Sequence, residues 1–171
     1  MEDRPKKYMR ETRTVKTSYV FPPDTNHLGT LFGGKLMAYI DDTASIAAAK
    51  LARCTVVTAS TDSVDFIAPI RVGNVVTVEA MVSRTGRTSM EVFVKVSAED
   101  LKTEETKIAA ISFLTFVALD EDGKPTPVPE IIPETDEERW LNQTAIQRAE
   151  QRVLRKQQSE ELARYLSKMP L

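Results

Sequence analysis

The run Asp24-Thr25-Asn26-His27-Leu28-Gly29-Thr30-Leu31-Phe32-Gly33-Gly34 leads directly into an apolar helical pattern that carries the adjacent carboxylates Asp41 and Asp42. Its residue types and spacing place an anion site opposite a base. Gly33 and Gly34 allow close backbone approach, and the amides of a first helical turn have no carbonyl behind them to bond. They can therefore hold an anion or a polarised carbonyl oxygen. A carboxylate two turns along can attack a carbonyl bound there, or activate a water to do so, which is acyl-transfer chemistry. Helical geometry puts Gly34, Met37, Ala38, Asp41, Ala44, Ser45 and Ala48 on one face and turns Asp42 about 100° away, so the two acids cannot share a pocket. A plainer reading stays open on spacing alone, with glycines that serve helix packing and an Asp41 that is a satisfied helix acid.

These residues need elements to position them. From Lys35 to Leu51 nearly every helical direction is apolar, which predicts a helix buried all round and makes an acid within it costly unless it has a purpose. Thr14 to Val20 is rich in β-branched residues and ends at Phe21-Pro22-Pro23-Asp24, the signature of a strand and its stop. Val56 to Phe66 reads as a second strand, broken by Ala68-Pro69 and the Gly73-Asn74 turn. Val76, Val78, Ala80 and Val82 alternate with polar neighbours, Thr85-Gly86-Arg87 turns the chain, and Met90, Val92, Val94 and Val96 repeat the alternation. Ile108 to Leu119 is apolar on both faces and is expected to be a central strand. One strand, one helix and four more strands predict an α+β domain, an antiparallel sheet with its helix on one face. Prolines 125, 127, 129 and 133 predict a stiff, extended linker. Thr135 or Asp136 then caps a charged helix running to about Lys168, which is either a solvated, weakly docked helix or a subunit contact.

Composition narrows the function classes. The chain has 171 residues, 42% of them apolar, and a net charge of −2 with both signs interspersed, which offers nucleic acid no basic footprint. Cys54 is the only cysteine and His27 the only histidine. No intrachain disulfide, thiolate metal cluster or histidine-based triad can be built from them within one chain, and no metal or redox cofactor is expected. Cys54 reads as a small buried residue and His27 as a loop residue with local hydrogen bonds. No apolar run approaches the roughly 18–20 residues of a membrane span, and Met1 to Lys7 lacks the apolar region of a secretory signal, so a cytoplasmic protein is expected.

The segment Asn26 to Asp41 closely resembles the signature of the hotdog-fold acyl-CoA thioesterases, in particular the bacterial acyl-CoA hydrolases related to the mammalian brain-type cytosolic enzyme. The resemblance continues through Val56-Val57-Thr58, Asp65-Phe66-Ile67-Ala68-Pro69-Ile70, Val72-Gly73-Asn74-Val75-Val76, Gly86-Arg87-Thr88-Ser89-Met90-Glu91-Val92 and Phe113-Leu114-Thr115-Phe116-Val117-Ala118. It covers residues 14 to 119, which leaves an N-terminal arm (1–13), a Pro-rich linker (120–133) and a charged C-terminal helix (134–171). It implies a long helix wrapped by a five- or six-stranded antiparallel sheet, and hydrolysis of acyl-CoA to free fatty acid and coenzyme A. It also implies a homo-oligomer, a dimer or trimer of dimers, whose active sites are shared between subunits.

Position by position, the resemblance makes Asp41 the general base or nucleophile. Gly33 and Gly34 become the amides near the thioester oxygen, and Asn26 a loop residue beside the site. Thr30 stands where relatives often carry Asn or Asp, and Phe32 where some carry histidine; a threonine hydroxyl at position 30 can still hold a water. Asp42 has no counterpart and takes a structural or interface role. Arg84, Gly86, Arg87, Thr88 and Ser89 resemble the turn that meets the nucleotide end of coenzyme A, with Lys107 as a further charge; arginine forks and hydroxyls beside a glycine turn suit phosphate. Burial is expected to raise the pKa of Asp41 and the helix-start amides to lower it. The competing class is an acyl-CoA-sensing hotdog module that binds without turnover and signals through the C-terminal helix.

Overall fold

The computed structural model describes residues 4–168, so the ends of the arm and of the C-terminal segment lie outside the described residues. In chain order the elements are β1 (Lys6–Tyr8), a 3-10 turn at Met9–Thr12, β2 (Thr14–Tyr19), a second such turn at Pro22–Asp24, α1 (Gly33–Ala52), β3 (Thr55–Phe66), β4 (Asn74–Thr85), β5 (Ser89–Asp100), β6 (Glu105–Leu119), β7 (Glu130–Ile132) and α2 (Asp136–Leu166). Five strands form one antiparallel sheet in the order β2-β4-β5-β6-β3. The long helix α1 lies in its curve, which is the hotdog fold.

The alternation of the strands builds the core. Val76, Val78, Ala80 and Val82 of β4 and Met90, Val92, Val94 and Val96 of β5 are buried on the face toward α1. They meet Leu36, Ile40, Ala44, Ala47, Ala48 and Leu51, and the alanines let the helix axis approach the sheet closely. α1 stops at Arg53, whose left-handed conformation (φ 56°) returns its N–H to the Ala49 carbonyl, an end more often made by glycine.

One irregularity decides where side chains go. The β3–β6 register shifts between Thr58 and Ser60, Thr58 lying opposite Phe116 and Ser60 opposite Thr115. Residues two apart normally share a face, but Ala59 is inserted as a bulge. Thr58 therefore faces α1 and Ser60 faces the other side of the sheet. A second shift between Thr61 and Ser63 leaves Asp62 on that other side as well.

Four expectations need correction. α1 is buried on one side only: Met37 and Ile46 are each 47% exposed, and Asp41 and Asp42 are exposed, because five strands cover one face of a helix and nothing else among the described residues covers the rest. Cys54 is exposed, since the chain turns outward where α1 ends. β6 lies next to the edge strand rather than at the centre, with Ile108 exposed. The proline-rich segment is more than a spacer, because β7 pairs in parallel with β1 (Lys6↔Glu130, Tyr8↔Ile132) and Val128 and Ile131 are buried.

The C-terminal helix starts at the expected cap. The Thr135 hydroxyl accepts from the Glu138 amide, and the Glu138 carboxylate accepts from the amides of Glu134 and Thr135, a capping box. α2 then packs across the face of the sheet opposite α1, where it meets Ser83, Glu91, Phe113 and Asp62.

Candidate active site

The loop before α1 is self-supporting. The Asn26 side-chain carbonyl accepts from the amides of Leu28 (2.9 Å) and Thr30 (3.3 Å), and its Nδ2 donates to the Thr30 hydroxyl at 3.0 Å. Gly29 sits in the left-handed region at φ 70°, where a side chain would be strained. The loop is tied to the helix by Asp24, whose carboxylate accepts from the Lys35 ammonium at 2.7 Å and from the Phe21 amide. Its pKa falls below the ordinary carboxylate value, chiefly through the Lys35 hydrogen bond.

The Phe32 carbonyl accepts the first helical bond, from the Leu36 amide. The amides of Gly33, Gly34 and Lys35 find no carbonyl partner among the described residues. Beside them opens a cavity of about 430 Å³ lined by Asn26, Thr30 and Gly33 at its polar end and by Leu36, Phe66 and Ile67 along its apolar walls. Gly34 makes room for an aromatic ring, whereas a side chain at Gly33 would meet one at ordinary contact distance. A Cβ on Gly33 would lie 3.6 Å from the Phe66 ring, and one on Gly34 only 2.6 Å from the Phe32 ring.

Asp41 does not line this cavity. It sits more than two turns further along α1, exposed, with Oδ1 accepting from the Thr58 hydroxyl at 2.9 Å. Asp42 points elsewhere and pairs with Lys16, whose ammonium also lies 5.0 Å from the Tyr39 ring centroid. Asn26, Thr30 and Gly33 are thus gathered around one cavity, while Asp41 and Thr58 form a separate pair on the uncovered face of α1. Thr58 was not a candidate on sequence: it lies on another strand, and its only signal was membership of the Val56-Val57-Thr58 segment.

The turn Arg84 to Ser89 is held from below: the Gly86 amide donates to the Ser89 carbonyl, and the Arg87 carbonyl accepts from the Val128 amide. Arg87 is exposed, Arg84 and Thr88 are half-buried, and Ser89 lines a different cavity, on the α2 side of the sheet. His27 is exposed in the loop. Among the described residues no group of three or more histidine, cysteine, aspartate or glutamate side chains is placed to hold a metal ion, and no helix is long and apolar enough to cross a membrane.

The profile of the thioesterase superfamily matches residues 28–105. An uncharacterized acyl-CoA thioester hydrolase of Bacillus subtilis is 56% identical over 166 residues, covering 97% of this chain and 96% of that one. The acyl-CoA hydrolase of Staphylococcus aureus, solved with butyryl coenzyme A, coenzyme A and coenzyme A disulfide, is 49% identical with a TM-score of 0.92, covering 96% of this chain and all of that one. Three further structures of that enzyme carry alanine in place of an asparagine, an aspartate and a threonine, at the same intervals that separate Asn26, Asp41 and Thr58 here. An apo-hexameric acyl-CoA thioesterase is 51% identical with a TM-score of 0.87, covering 89% of this chain and 97% of that one. The chain belongs to the hotdog-fold acyl-CoA thioesterases.

Proposed function

We propose that the chain hydrolyses fatty acyl-CoA to free acid and coenzyme A, with Asp41 as the reactive carboxylate. The thioester carbonyl lies at the polar end of the Gly33 cavity, its oxygen received by the amides of Gly33 and Gly34, where developing negative charge meets donors that need no reorganisation. The acyl chain follows the apolar wall formed by Leu36, Phe66 and Ile67. Asp41 delivers water to the carbonyl carbon and takes its proton; the tetrahedral intermediate then collapses with breakage of the C–S bond, and the departing sulfur receives that proton from Asp41 and leaves as the thiol of coenzyme A. Thr58 holds the carboxylate in one orientation, a positioning role.

The observation that carries this reading is the separation of the two halves. One chain presents an amide-lined cavity without the acid and an acid without the cavity, and the acid stands on the uncovered face of α1. A second copy packed on that face brings the Asp41 of one chain to the cavity of the other. The unpaired edge of β3 and the exposed Met37, Ile46 and Val57 support that assembly, as does the hexameric relative.

The experiment is release of coenzyme A from acyl-CoAs of increasing chain length by wild type and Asp41→Asn. A loss of roughly 10²–10⁴ in turnover, with coenzyme A binding retained, is the expected result. Unchanged hydrolysis by the variant would overturn the role of Asp41. Binding without release by wild type would leave the sensing module instead.

A further inference from the structure

Strand β3 carries the hydroxyl that meets Asp41 at the point where the strand is least regular. Its only sheet partner within the chain is β6, and that ladder is interrupted twice in quick succession, between Thr58 and Ser60 and again between Thr61 and Ser63. A bulge leaves its inserted residue unpaired and lets the strand bend. Thr58 therefore borders a segment that backbone pairing holds weakly, although its hydroxyl has to keep a fixed distance from a carboxylate on α1.

What holds the segment comes from the opposite face of the sheet. Asp62, whose side chain is only 9% exposed, accepts from the Thr115 hydroxyl of β6 and from Arg152 of α2, each at 2.8 Å, and also from Ser60 and Arg155. Arg155 reaches further than the carboxylate: Nη1 donates to the Asp62 main-chain carbonyl and Nη2 to the Ser60 hydroxyl, each at 3.1 Å. The Ser112 hydroxyl closes the far end by donating to the Ser63 carbonyl at 2.6 Å. Fastening α2 needs only an ion pair, which Glu91 and Arg148 already supply. A planar fork that grips side-chain and main-chain oxygens of one bulged segment fixes the strand itself.

We propose that Arg155 and Asp62 are positioning residues for the hydrolysis, a role that rests on the function given to Asp41 and Thr58 above. From the face of the sheet opposite α1 they lock the bulged segment 59–62 and so fix the Thr58 hydroxyl against Asp41. The link is short: Ser60, held by Arg155, stands two residues from Thr58 on the same strand. A slip of one residue in β3 would turn Thr58 away from α1, and the clamp opposes that slip. α2 thereby contributes to turnover without touching the reacting atoms.

The test combines methyl NMR of the full chain with steady-state kinetics at saturating acyl-CoA. Arg155→Met, at an exposed helix position, and Asp62→Asn are each expected to shift or broaden the methyl signals of Thr58 and Ala59, while those of Ala44 and Ala48 in the core stay in place. Signals of Thr58 and Ala59 that neither variant moves overturn the clamp, whatever the kinetics. Arg155→Met is also expected to lower kcat about threefold to tenfold, but by less than about twofold once Thr58→Val has removed the hydroxyl that the clamp positions. A fall of equal size in both backgrounds would come from loosened folding and overturns the positioning role, as does an unchanged kcat in Arg155→Met beside an impaired Thr58→Val. A Thr58→Val enzyme as fast as wild type would instead remove the role of Thr58, and the clamp's part in turnover with it.

Discussion

At the scale of single residues, the Thr58–Asp41 hydrogen bond and the Gly34–Phe32 contact make the sharpest claims. Thr58→Val removes the donor while keeping the shape, and is expected to lower kcat about tenfold, the worth of one hydrogen bond to a charged group; Thr58→Ser should restore most of it. If Thr58→Val turned over at the wild-type rate, the hydroxyl would have no positioning role. Gly34→Ala drives a methyl into the Phe32 ring, but that ring is exposed and can swing away. Stability is therefore expected to change by less than about 1 kcal/mol while KM rises, because the ring stands beside the first-turn amides. A thermal shift combined with steady-state kinetics separates the two effects. Asp41 and Asp42 could be told apart from spacing, because successive helical residues point in different directions, and the structure gives them the different partners Thr58 and Lys16. Thr58 could not be found that way. Its approach to Asp41 depends on how β3 packs against α1, which no local pattern encodes.

At the scale of elements, α2 is fastened by charge. Its buried contacts with the sheet combine the small apolar surface of Leu141 and Ala145 with the Glu91–Arg148 and Asp62–Arg152 pairs. Arg148 also lies 4.0 Å from the Phe113 ring centroid. Glu91→Ala leaves the half-buried Arg148 without its carboxylate and is expected to cost roughly 3 kcal/mol, measured by urea denaturation; a loss under about 0.5 kcal/mol would show the pair to be idle. Burial works against ionised Asp62, but hydrogen bonds from Ser60, Arg152 and Thr115 outweigh it and hold its pKa below the ordinary carboxylate value. Because the folded-state value is the lower one, the stabilisation is fully present above about pH 4 and is lost as the pH falls through the folded pKa. Protection factors of the α2 amides, which divide out the intrinsic pH dependence of exchange, are expected to fall in that acidic window and to be flat from pH 5 to 8. A cap at Thr135 or Asp136 was legible, because a capping side chain followed by acids in the first turn has a local mechanism; the structure gives the role to Thr135. The docking was not: periodic apolar residues announce a buried helix face, and this face is made of arginines whose acids lie on distant strands.

At the scale of the molecule, the mismatch between an all-round apolar helix and a one-sided sheet is itself informative. The apolar pattern of α1 records more contact than one chain supplies, and Met37 and Ile46 are the unclaimed part of it. Ile46→Glu is expected to lower the assembly state in sedimentation velocity and to reduce turnover in parallel, with little change in the fold because the side chain is already half exposed. A variant that remained fully assembled and fully active would show that this face is not the contact. The succession of one strand, one long helix and four more strands could be read from period and turn chemistry, but not the order of the strands in the sheet, which sets β6 beside the edge strand. The pairing of β1 with β7 could not, because two three-residue strands carry no pattern of their own. That pairing also has a temporal side. Lys6 finds Glu130 only across 124 positions of chain, so at roughly 5–20 residues per second of synthesis β1 waits between about 6 and 25 seconds for its partner to exist. The strand that comes first in chain order is thus among the last to be paired, and a nascent chain carries it as a loose thread until β7 has been made.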